Sequence, residues 1–410
     1  MQPTIRQDYL DWLRIFAIIG VLLFHAAMPF ATEEWWHIKN KETSDTLLEF
    51  NFWLSRFRMP LLFFISGAVT WFMIQKRTAG SFIGLRFRRL FIPLLFGMLV
   101  IVPPQIYMER ITQGFKGTFL DFYPSIFSGE PYPKGNTSWH HLWFIAYLFV
   151  FNLIAAPLFR WVTTAKGKAF IPRLDWLGKG KRIYLLILPG VIAYTSLVLK
   201  FPQTNDLVHD WAYLPYWFLF LFIGFICILR PALMDSLERN RRFSLLTGMV
   251  LFITMNYFRW NDLEPWSGSN ANWRLEPFTY AYLALYPAVA WFWVMALTGY
   301  GKKYLNRKTK FSGYATEAVY PFYILHQTVI VILAYYVVQA NDDVFSKYLF
   351  LSIVSFVLSV AIYHLLIKPY AVMRFLFGLK GKTKKDIVVQ TVTSSQQLKD
   401  RILTSACATS

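Results

Sequence analysis

The sequence predicts an all-α integral membrane protein with about ten transmembrane helices and with both the N-terminus and the C-terminus in the cytoplasm. The 410 residues are 56% hydrophobic and only 16% charged, whereas soluble domains carry roughly 25% charged residues. A soluble fold could not cover so much apolar surface, and the mean hydropathy is positive. Ten apolar runs approach the roughly 20 residues that a bilayer span requires. They cover about residues 10–31, 50–74, 90–107, 140–162, 183–199, 212–229, 243–258, 278–299, 315–338 and 345–367.

The basic residues are divided unequally between alternate loops. If the N-terminus is inside, 30 of the 42 Lys and Arg residues lie in cytoplasmic segments and 9 lie in outer segments. Cytoplasmic loops of membrane proteins carry such an excess, so the distribution supports ten spans. The net charge of +19 is then explained by basic loops beside anionic lipids. We therefore expect membrane lipids as partners, and no nucleic acid.

We predict two segments. Residues 8–368 form the membrane domain, and residues 369–410 form a cytoplasmic tail that is basic, then rich in Ser and Thr, and disordered. The two cysteines, Cys227 and Cys407, provide neither a disulfide framework nor metal-ligand spacing. The first apolar run begins with charged residues and lacks a small-residue cleavage site, so we expect it to be a span and not a cleaved signal.

The first apolar run, DYLDWLRIFAIIGVLLFH, carries Arg14 near its start and His25 at its end. On a helix with about 100° and about 1.5 Å per residue, they lie within roughly 20° of one face and about 16 Å apart. An ionisable residue at membrane depth is a functional candidate, and histidine can take a proton from a hydroxyl near neutral pH. The alternatives are a histidine bonded to a backbone carbonyl and an interfacial arginine paired with Asp11.

Other charged residues are also candidates. Arg56 and Arg58 lie near the outer end of the second run, where arginine is disfavoured, and they could hold an anionic group. His326, near mid-depth of the ninth run, is a second candidate for the reaction centre. A basic cluster before the third run could bind phosphates or only lipid headgroups. This cluster consists of Arg86, Arg88 and Arg89.

His140 and His141 open the fourth run and could form half of a metal site. No HExxH motif and no carboxylate at ligand spacing accompany them, so we expect no metal. Phosphate-binding Walker loops and GxSxG nucleophile motifs are also absent from the sequence. Two outer loops, 108–139 and 259–277, combine tryptophan with amides and charges. Such loops could bind sugars or anchor the protein at the membrane interface.

Five stretches resemble the membrane-bound acyltransferase-3 family, in the family's order. They are YLDWLRIFAIIGVLLFH, FRMPLLFFISG, LRFRRLFIPLLFG, HLWFIAYL and YPFYILHQ, and they extend over about residues 8–368. They look most like the glucan-modifying branch, typified by the osmoregulated periplasmic glucan succinyltransferase. The resemblance implies a multi-pass O-acyltransferase of the bacterial inner membrane. It would move an acyl group, acetyl or succinyl in class, from cytoplasmic acyl-CoA to a hydroxyl of an extracytoplasmic or envelope carbohydrate.

By motif position, the resemblance implies that His25 is the catalytic histidine and that Arg14 is its essential partner. It also implies that Arg86 and Arg88 bind the donor, and we add Arg89 to this group. We expect His25 to act as general base. We expect acyl-CoA to be a co-substrate, with no tightly bound cofactor.

Three residues could contact the acceptor or the acyl group, or could stabilise the oxyanion. They are His326, Arg58 and Arg56. Two other classes of protein stay open. A transporter or exporter of a polar solute or glycan would use the buried charges as a substrate path, although the sequence lacks the repeats and paired broken helices of many transporters. A non-catalytic scaffold would not need Arg14 and His25 on one face.

Overall fold

The computed structural model describes residues 7–33, 35–75, 77–268 and 270–381. These residues form helices and connecting loops, and no β-strand occurs among them. We number ten main helices in chain order. They are α1 (Asp8–Ala27), α2 (Asp45–Ile74), α3 (Ala79–Thr112), α4 (His140–Trp161), α5 (Arg182–Leu197), α6 (Tyr213–Leu229), α7 (Pro231–Trp260), α8 (Pro277–Tyr304), α9 (Lys310–Val337) and α10 (Val344–Ile367). Short helices lie at Phe119–Phe122, Ala165–Phe170 and Ala371–Leu376.

Each of the ten apolar runs falls on one of these helices. Seven helices of the described chain, α1 to α4 and α8 to α10, are long and apolar enough to cross a membrane individually. Helices α6 and α7 pass that test only as a pair, with a bend of 108° between them, and α5 is shorter. The all-helical, multi-span architecture is thus confirmed. The count of ten spans and the cytoplasmic position of both termini stay predictions.

Polar caps fix the starts of several helices. The first turn of a helix leaves backbone N–H groups without helical partners, and side-chain oxygens can accept from them. Ser44 accepts from the amide of the third residue of α2 at 3.4 Å. Thr309 and Ser312 form a reciprocal capping box at α9. Asp343 accepts from two amides at the start of α10, both at 3.0 Å. These caps lie outside the apolar runs, so the helices extend beyond the lengths that hydropathy alone predicts.

Helix α3 contains two π-helical turns, at Phe87–Phe91 and Gly97–Ile101. A π-turn inserts one extra residue and therefore rotates the following residues about the helix axis. Arg86 lies directly before the first π-turn and is buried, whereas Arg88 within it is exposed. The basic cluster is therefore distributed over different faces of the helix.

Helix α1 is enclosed by its neighbours, since it contacts α2, α8, α9 and α10. Helices α2 and α6 approach each other most closely at two glycines. A Cβ atom added at Gly67 would lie 1.8 Å from the carbonyl oxygen of Leu221, and one added at Gly224 would lie 2.0 Å from that of Phe64. Small residues allow this backbone approach in membrane helices. Gly67 and Gly224 therefore serve the close packing of α2 against α6.

A bidentate ion pair supports the bend between α6 and α7. Arg230, the extended residue at the bend, donates to the Asp175 carboxylate from Nε at 2.8 Å and from NH2 at 2.5 Å. Hydrogen bonding to this guanidinium holds the pKa of the Asp175 carboxyl below its usual range.

The predicted tail is described only in its first part. Ala371–Leu376 is a short helix whose Arg374 is buried and donates to Glu317 of α9 at 2.5 Å. The predicted disorder concerns mainly residues 382–410, which lie outside the described residues.

Candidate active site

Helices α1 and α9 present matching polar residues to each other at two levels. His25 Nδ1 lies 2.9 Å from His326 Nε2. Arg14 donates to the Asp11 carboxylate at 3.1 Å and to the carbonyl oxygen of Thr316 at 3.4 Å. Arg14 and His25 are eleven residues apart on α1, and their α9 partners are ten residues apart, about 15 Å along a helix. Arg14 and His25 thus share one face of α1, as their spacing predicts.

The hydrogen bonds of His326 determine which nitrogen of His25 carries a proton. His326 Nδ1 lies 2.6 Å from the carbonyl oxygen of Tyr323. A carbonyl can only accept, so this nitrogen is the donor, and Nε2 of the neutral ring carries a lone pair. His25 must then donate from Nδ1 to His326. The remaining nitrogen of His25, Nε2, therefore bears a lone pair, and the ring's one hydrogen bond among the described residues is that of Nδ1.

His25 borders an open cavity of about 1220 Å³. His326 lies behind it and is completely buried. The cavity wall comes mainly from α2, α4 and α6, with single residues or pairs from other helices, and from segments that the charge distribution assigns to the outer side. Aromatic residues dominate this wall, among them Trp35, Trp36, Tyr132, Trp139, Tyr213 and Tyr286. Residues of the 108–139 loop line the cavity, but residues of the 259–277 loop do not.

Arg56 and Arg58 also line the cavity. The Arg58 guanidinium lies 3.4 Å from the centroid of the Phe24 ring. Its Nε and NH1 atoms are buried and have no hydrogen-bond partner in the described part of the chain. Arg56 is held by Ser55 Oγ at 2.8 Å and lies over the Tyr286 ring at 5.0 Å. Arg58 is therefore the arginine with donors available to a ligand near His25.

Below His25, one face of α9 carries polar groups towards Arg14. Thr316, Tyr320, Tyr323 and His326 follow at spacings of three or four residues, which places them on one helix face. The hydroxyls of Thr316 and Tyr320 are buried and have no hydrogen-bond partner among the residues described here. The strip between Arg14 and His25 is therefore polar.

The three arginines of the predicted donor cluster differ in their surroundings. Arg86 is buried, donates to Thr70 Oγ1 at 2.5 Å and lies over the Phe82 ring at 5.1 Å. Arg88 is exposed and Arg89 is half-buried. Only Arg88 and Arg89 are thus accessible from the surface, and Arg86 lies inside the bundle.

The two histidines at the start of α4 occupy different environments. His141 is buried, and its Nε2 lies 2.9 Å from the carbonyl oxygen of Ile324. Its own carbonyl accepts from the Tyr323 hydroxyl, so His141 ties α4 to α9 beside His326. His140 lines the cavity, as His141 also does, and it lies beside His37 and Tyr132, with ring centroids 4.8 Å and 4.6 Å away.

Glu109 of α3 lies beside these rings and accepts from several groups. His37 Nδ1 contacts its Oε2. The Tyr132 hydroxyl donates to Oε1 at 3.0 Å, and Gln113 Nε2 donates to the same atom at 3.1 Å. Burial and the neighbouring Glu109 carboxylate raise the pKa of the Tyr132 hydroxyl, so it stays a donor.

Comparison with known proteins identifies the family. A family model described as an acyltransferase domain matches residues 7–364. The chain belongs to the acyltransferase-3 family. It therefore carries an acyltransferase domain of this family, as the five stretches imply. Glucans biosynthesis protein C of Salmonella typhi is 25% identical over 203 residues, which are 48% of this chain and 49% of that protein.

Glucans biosynthesis protein C of Escherichia coli K12 is 26% identical over 162 residues, which are 38% of this chain and 40% of that protein. The chain thus spans about half the length, or less, of the curated relatives it matches. No solved structure matches the chain.

The structure adds residues that the sequence did not single out. Tyr320 and Tyr323 belong to the YPFYILHQ stretch. Each lies three residues before the next polar residue, Tyr323 or His326, and this helical spacing is a signal that could have identified them. His37 and Glu109 had no such signal. They lie 72 residues apart in sequence, and only the fold brings them together.

Proposed function

We propose that this acyltransferase moves an acyl group from cytoplasmic acyl-CoA to a hydroxyl of an envelope carbohydrate on the opposite side of the bacterial inner membrane. One observation carries the proposal. Arg14 and His25 mark the two ends of a polar strip between α1 and α9, and His25 borders a large aromatic cavity. The strip suits a long donor that approaches from one end, and the cavity suits a carbohydrate at the other.

The donor would be held first by its phosphates. Arg88 and Arg89 are the accessible cations of α3, and guanidinium groups bind phosphate oxygens with two parallel hydrogen bonds. Arg14 and the buried Arg86 would contact groups farther along the donor. The pantetheine arm carries amides, which can bond the free hydroxyls of the α9 strip. Its reach is of the same order as the roughly 16 Å between Arg14 and His25.

The chemistry follows from the lone pair on His25 Nε2. An acceptor hydroxyl gives its proton to Nε2 while its oxygen attacks the thioester carbonyl. The tetrahedral intermediate then expels the CoA sulfur, and the C–S bond breaks as the ester forms. The imidazolium returns the proton to the departing thiolate. His326 accepts from His25 Nδ1 throughout, so the reactive nitrogen keeps its orientation.

Arg58 is the best candidate to stabilise the negative charge that develops on the carbonyl oxygen. Its Nε and NH1 donors are desolvated and unpartnered among the described residues, and preorganised donors in such surroundings stabilise an oxyanion strongly. The same donors suit the carboxylate of a succinyl group. His326, a further oxyanion candidate, already hydrogen-bonds with His25 and Tyr323. We therefore assign it to positioning.

The cavity suits a carbohydrate. Aromatic faces such as those of Trp35, Trp36 and Trp139 can stack on apolar sugar faces. Gln203, Asn205 and other polar residues of the same wall can bond hydroxyls. The printed name of the relatives concerns glucan biosynthesis, so a glucan is the acceptor that we propose.

The test is acyl transfer by the purified protein from labelled acyl-CoA to a glucan, followed by mass spectrometry of the glucan. We expect His25→Ala to abolish the mass increase, because it removes the base. His364→Ala is the matched control, since His364 lies at the far end of α10 beside Tyr314 and should leave transfer intact. A folded His25→Ala protein with normal transfer would contradict the assignment.

A further inference from the structure

We propose that His37, Glu109 and His140 form a zinc site in the wall of the cavity. One atom from each of these side chains lies within 4.8 Å of the corresponding atoms of the other two. Two imidazole nitrogens and one carboxylate oxygen are a donor set that zinc prefers. Ligands at bond lengths of about 2.1 Å in tetrahedral geometry are about 3.4 Å apart. The three side chains are therefore close enough together for one ion to bind all of them.

His140 is the residue that most needs this explanation. Both of its ring nitrogens are buried and have no hydrogen-bond partner within the described residues. A buried imidazole without partners costs free energy, because it has lost its hydrogen bonds to water. Its backbone also has a φ of 43°, a left-handed conformation that is strained for a side chain with a Cβ atom. Strained residues of this kind concentrate at functional sites. A metal bond would give the ring a partner.

The other two ligands already contact each other. His37 Nδ1 contacts Glu109 Oε2, so both atoms point to the same place. Tyr132 and Gln113 donate to Glu109 Oε1 and fix the orientation of the carboxylate. Such outer partners hold metal ligands in place.

His37 also has an outer partner. Its Nε2 lies 3.3 Å from Gln327 Nε2, which lies 3.0 Å from Gln105 Oε1. The oxygen and nitrogen of an amide are assigned from their hydrogen bonds. If both amides are turned, Gln105 donates to Gln327, and the Gln327 oxygen accepts from His37 Nε2–H. This arrangement leaves the lone pair of His37 on Nδ1, the nitrogen that faces Glu109.

The segment that carries His37 is held firmly. Lys39 donates from Nζ to the carbonyl oxygens of Met28 at 3.0 Å, Ala31 at 2.5 Å and Glu33 at 2.6 Å. Burial lowers the pKa of this Lys39 ammonium. These bonds fold the loop after α1 back on itself and fix His37 opposite α3.

At this location, a bound ion would have an open coordination position. Three protein ligands leave a fourth position to solvent or to a ligand in zinc sites of the catalytic type. His37 and His140 both line the cavity. Trp36 lies between His37 and His25, with ring centroids 4.9 Å and 5.6 Å away. The fourth position would therefore accept an oxygen ligand within the cavity that His25 borders.

Zinc content provides the test, and it requires no acyl transfer. The full chain, purified in detergent without chelators, should contain close to one zinc ion per chain by mass spectrometry of the metals. After removal of zinc, titration with Zn²⁺ alone should raise the melting temperature, since an ion that binds the folded state stabilises it. Glu109→Gln and His140→Asn should each lower zinc affinity at least tenfold.

Two controls separate this proposal from the proposed function. His25→Ala should retain zinc, and so should His364→Asn, which removes a histidine far from the cavity. If the variants do not fold, the absorption spectrum of the metal-free wild-type protein after addition of Co²⁺ tests the site. Visible absorption bands of four-coordinate cobalt support the site. Wild-type protein that contains no zinc, and that neither Zn²⁺ nor Co²⁺ stabilises, would overturn the proposal.

Discussion

At the residue scale, the Tyr323 backbone carbonyl determines, through His326, which nitrogen of His25 bears the lone pair. The Tyr323 oxygen fixes the proton of His326 on Nδ1, and His326 in turn fixes that of His25. A carboxylate performs the same orienting role in many hydrolases. A neutral histidine does so here without burying a negative charge at membrane depth, where charge is costly.

This arrangement predicts the behaviour of two substitutions at His326. His326→Leu removes the acceptor, so His25 can adopt the other tautomer, and we expect kcat to fall about 100-fold or more. KM for acyl-CoA should change little, because the His326 side chain is completely buried and its hydrogen bonds go to His25 and Tyr323. His326→Gln should recover part of the lost rate, since its amide oxygen can accept from His25 Nδ1–H.

Steady-state kinetics of both variants measures the effect, and thermal melting measures folding. A folded leucine variant with wild-type kcat would exclude the positioning role. So would a glutamine variant that is folded but no faster than the leucine variant.

At the scale of elements, the sequence predicts where the helices lie better than how they bend. Hydropathy locates all ten main helices, because an apolar run of sufficient length has few alternatives in a membrane. The π-turns of α3 and the 108° bend at Arg230 leave no hydropathy signal. The contrast between the buried Arg86 and the exposed Arg88 occurs at the first of these π-turns. This contrast could not be predicted from the sequence pattern, in which one residue separates Arg86 from Arg88.

The contact between α2 and α6 predicts a steric effect on stability. In Gly224→Ala the new methyl group would lie 2.0 Å from the Phe64 carbonyl oxygen, so the helices must move apart. We expect a loss of about 1–3 kcal/mol, the usual cost of overpacking. Gly313→Ala on α9 is the matched control, because a Cβ atom there meets nothing within 4 Å.

Thermal melting in detergent measures both variants. We expect a lower melting temperature for Gly224→Ala, and an unchanged or slightly higher one for Gly313→Ala, because alanine favours helix over glycine. Equal melting temperatures would mean that the α2–α6 contact is looser than described.

At the scale of the whole molecule, the candidate site consists of the polar strip between Arg14 and His25 and of the cavity beside His25. The sequence predicts this arrangement only in part. The first helix contains both Arg14 and His25, so periodicity alone places them on one face. The surroundings of the site come from distant segments. Glu109 and His140 lie 31 residues apart on different helices, and no spacing rule for metal ligands covers such a pair. Both the 108–139 and 259–277 loops combine tryptophan with amides and charges, yet only the 108–139 loop lines the cavity.

Substitutions at the donor end of the site and in the cavity should affect different Michaelis constants. Arg88→Ala with Arg89→Ala removes cations at the donor end, where a charge-assisted contact is worth about 1.5–3 kcal/mol. We expect KM for acyl-CoA to rise about tenfold or more, with KM for the glucan unchanged. Trp35→Ala removes an exposed aromatic face of the cavity. It should raise KM for the glucan about three- to tenfold, with KM for acyl-CoA unchanged.

A double variant of exposed arginines elsewhere, Arg173→Ala with Arg182→Ala, controls for loss of net positive charge and should leave both constants unchanged. The donor effect should also weaken at high salt, because salt screens exposed charges. This crossed pattern distinguishes a transmembrane transfer enzyme from one that binds both substrates in one pocket, since a shared pocket would couple the two constants. An increase in both constants with either substitution would therefore contradict the two-ended arrangement, even if His25 remains essential.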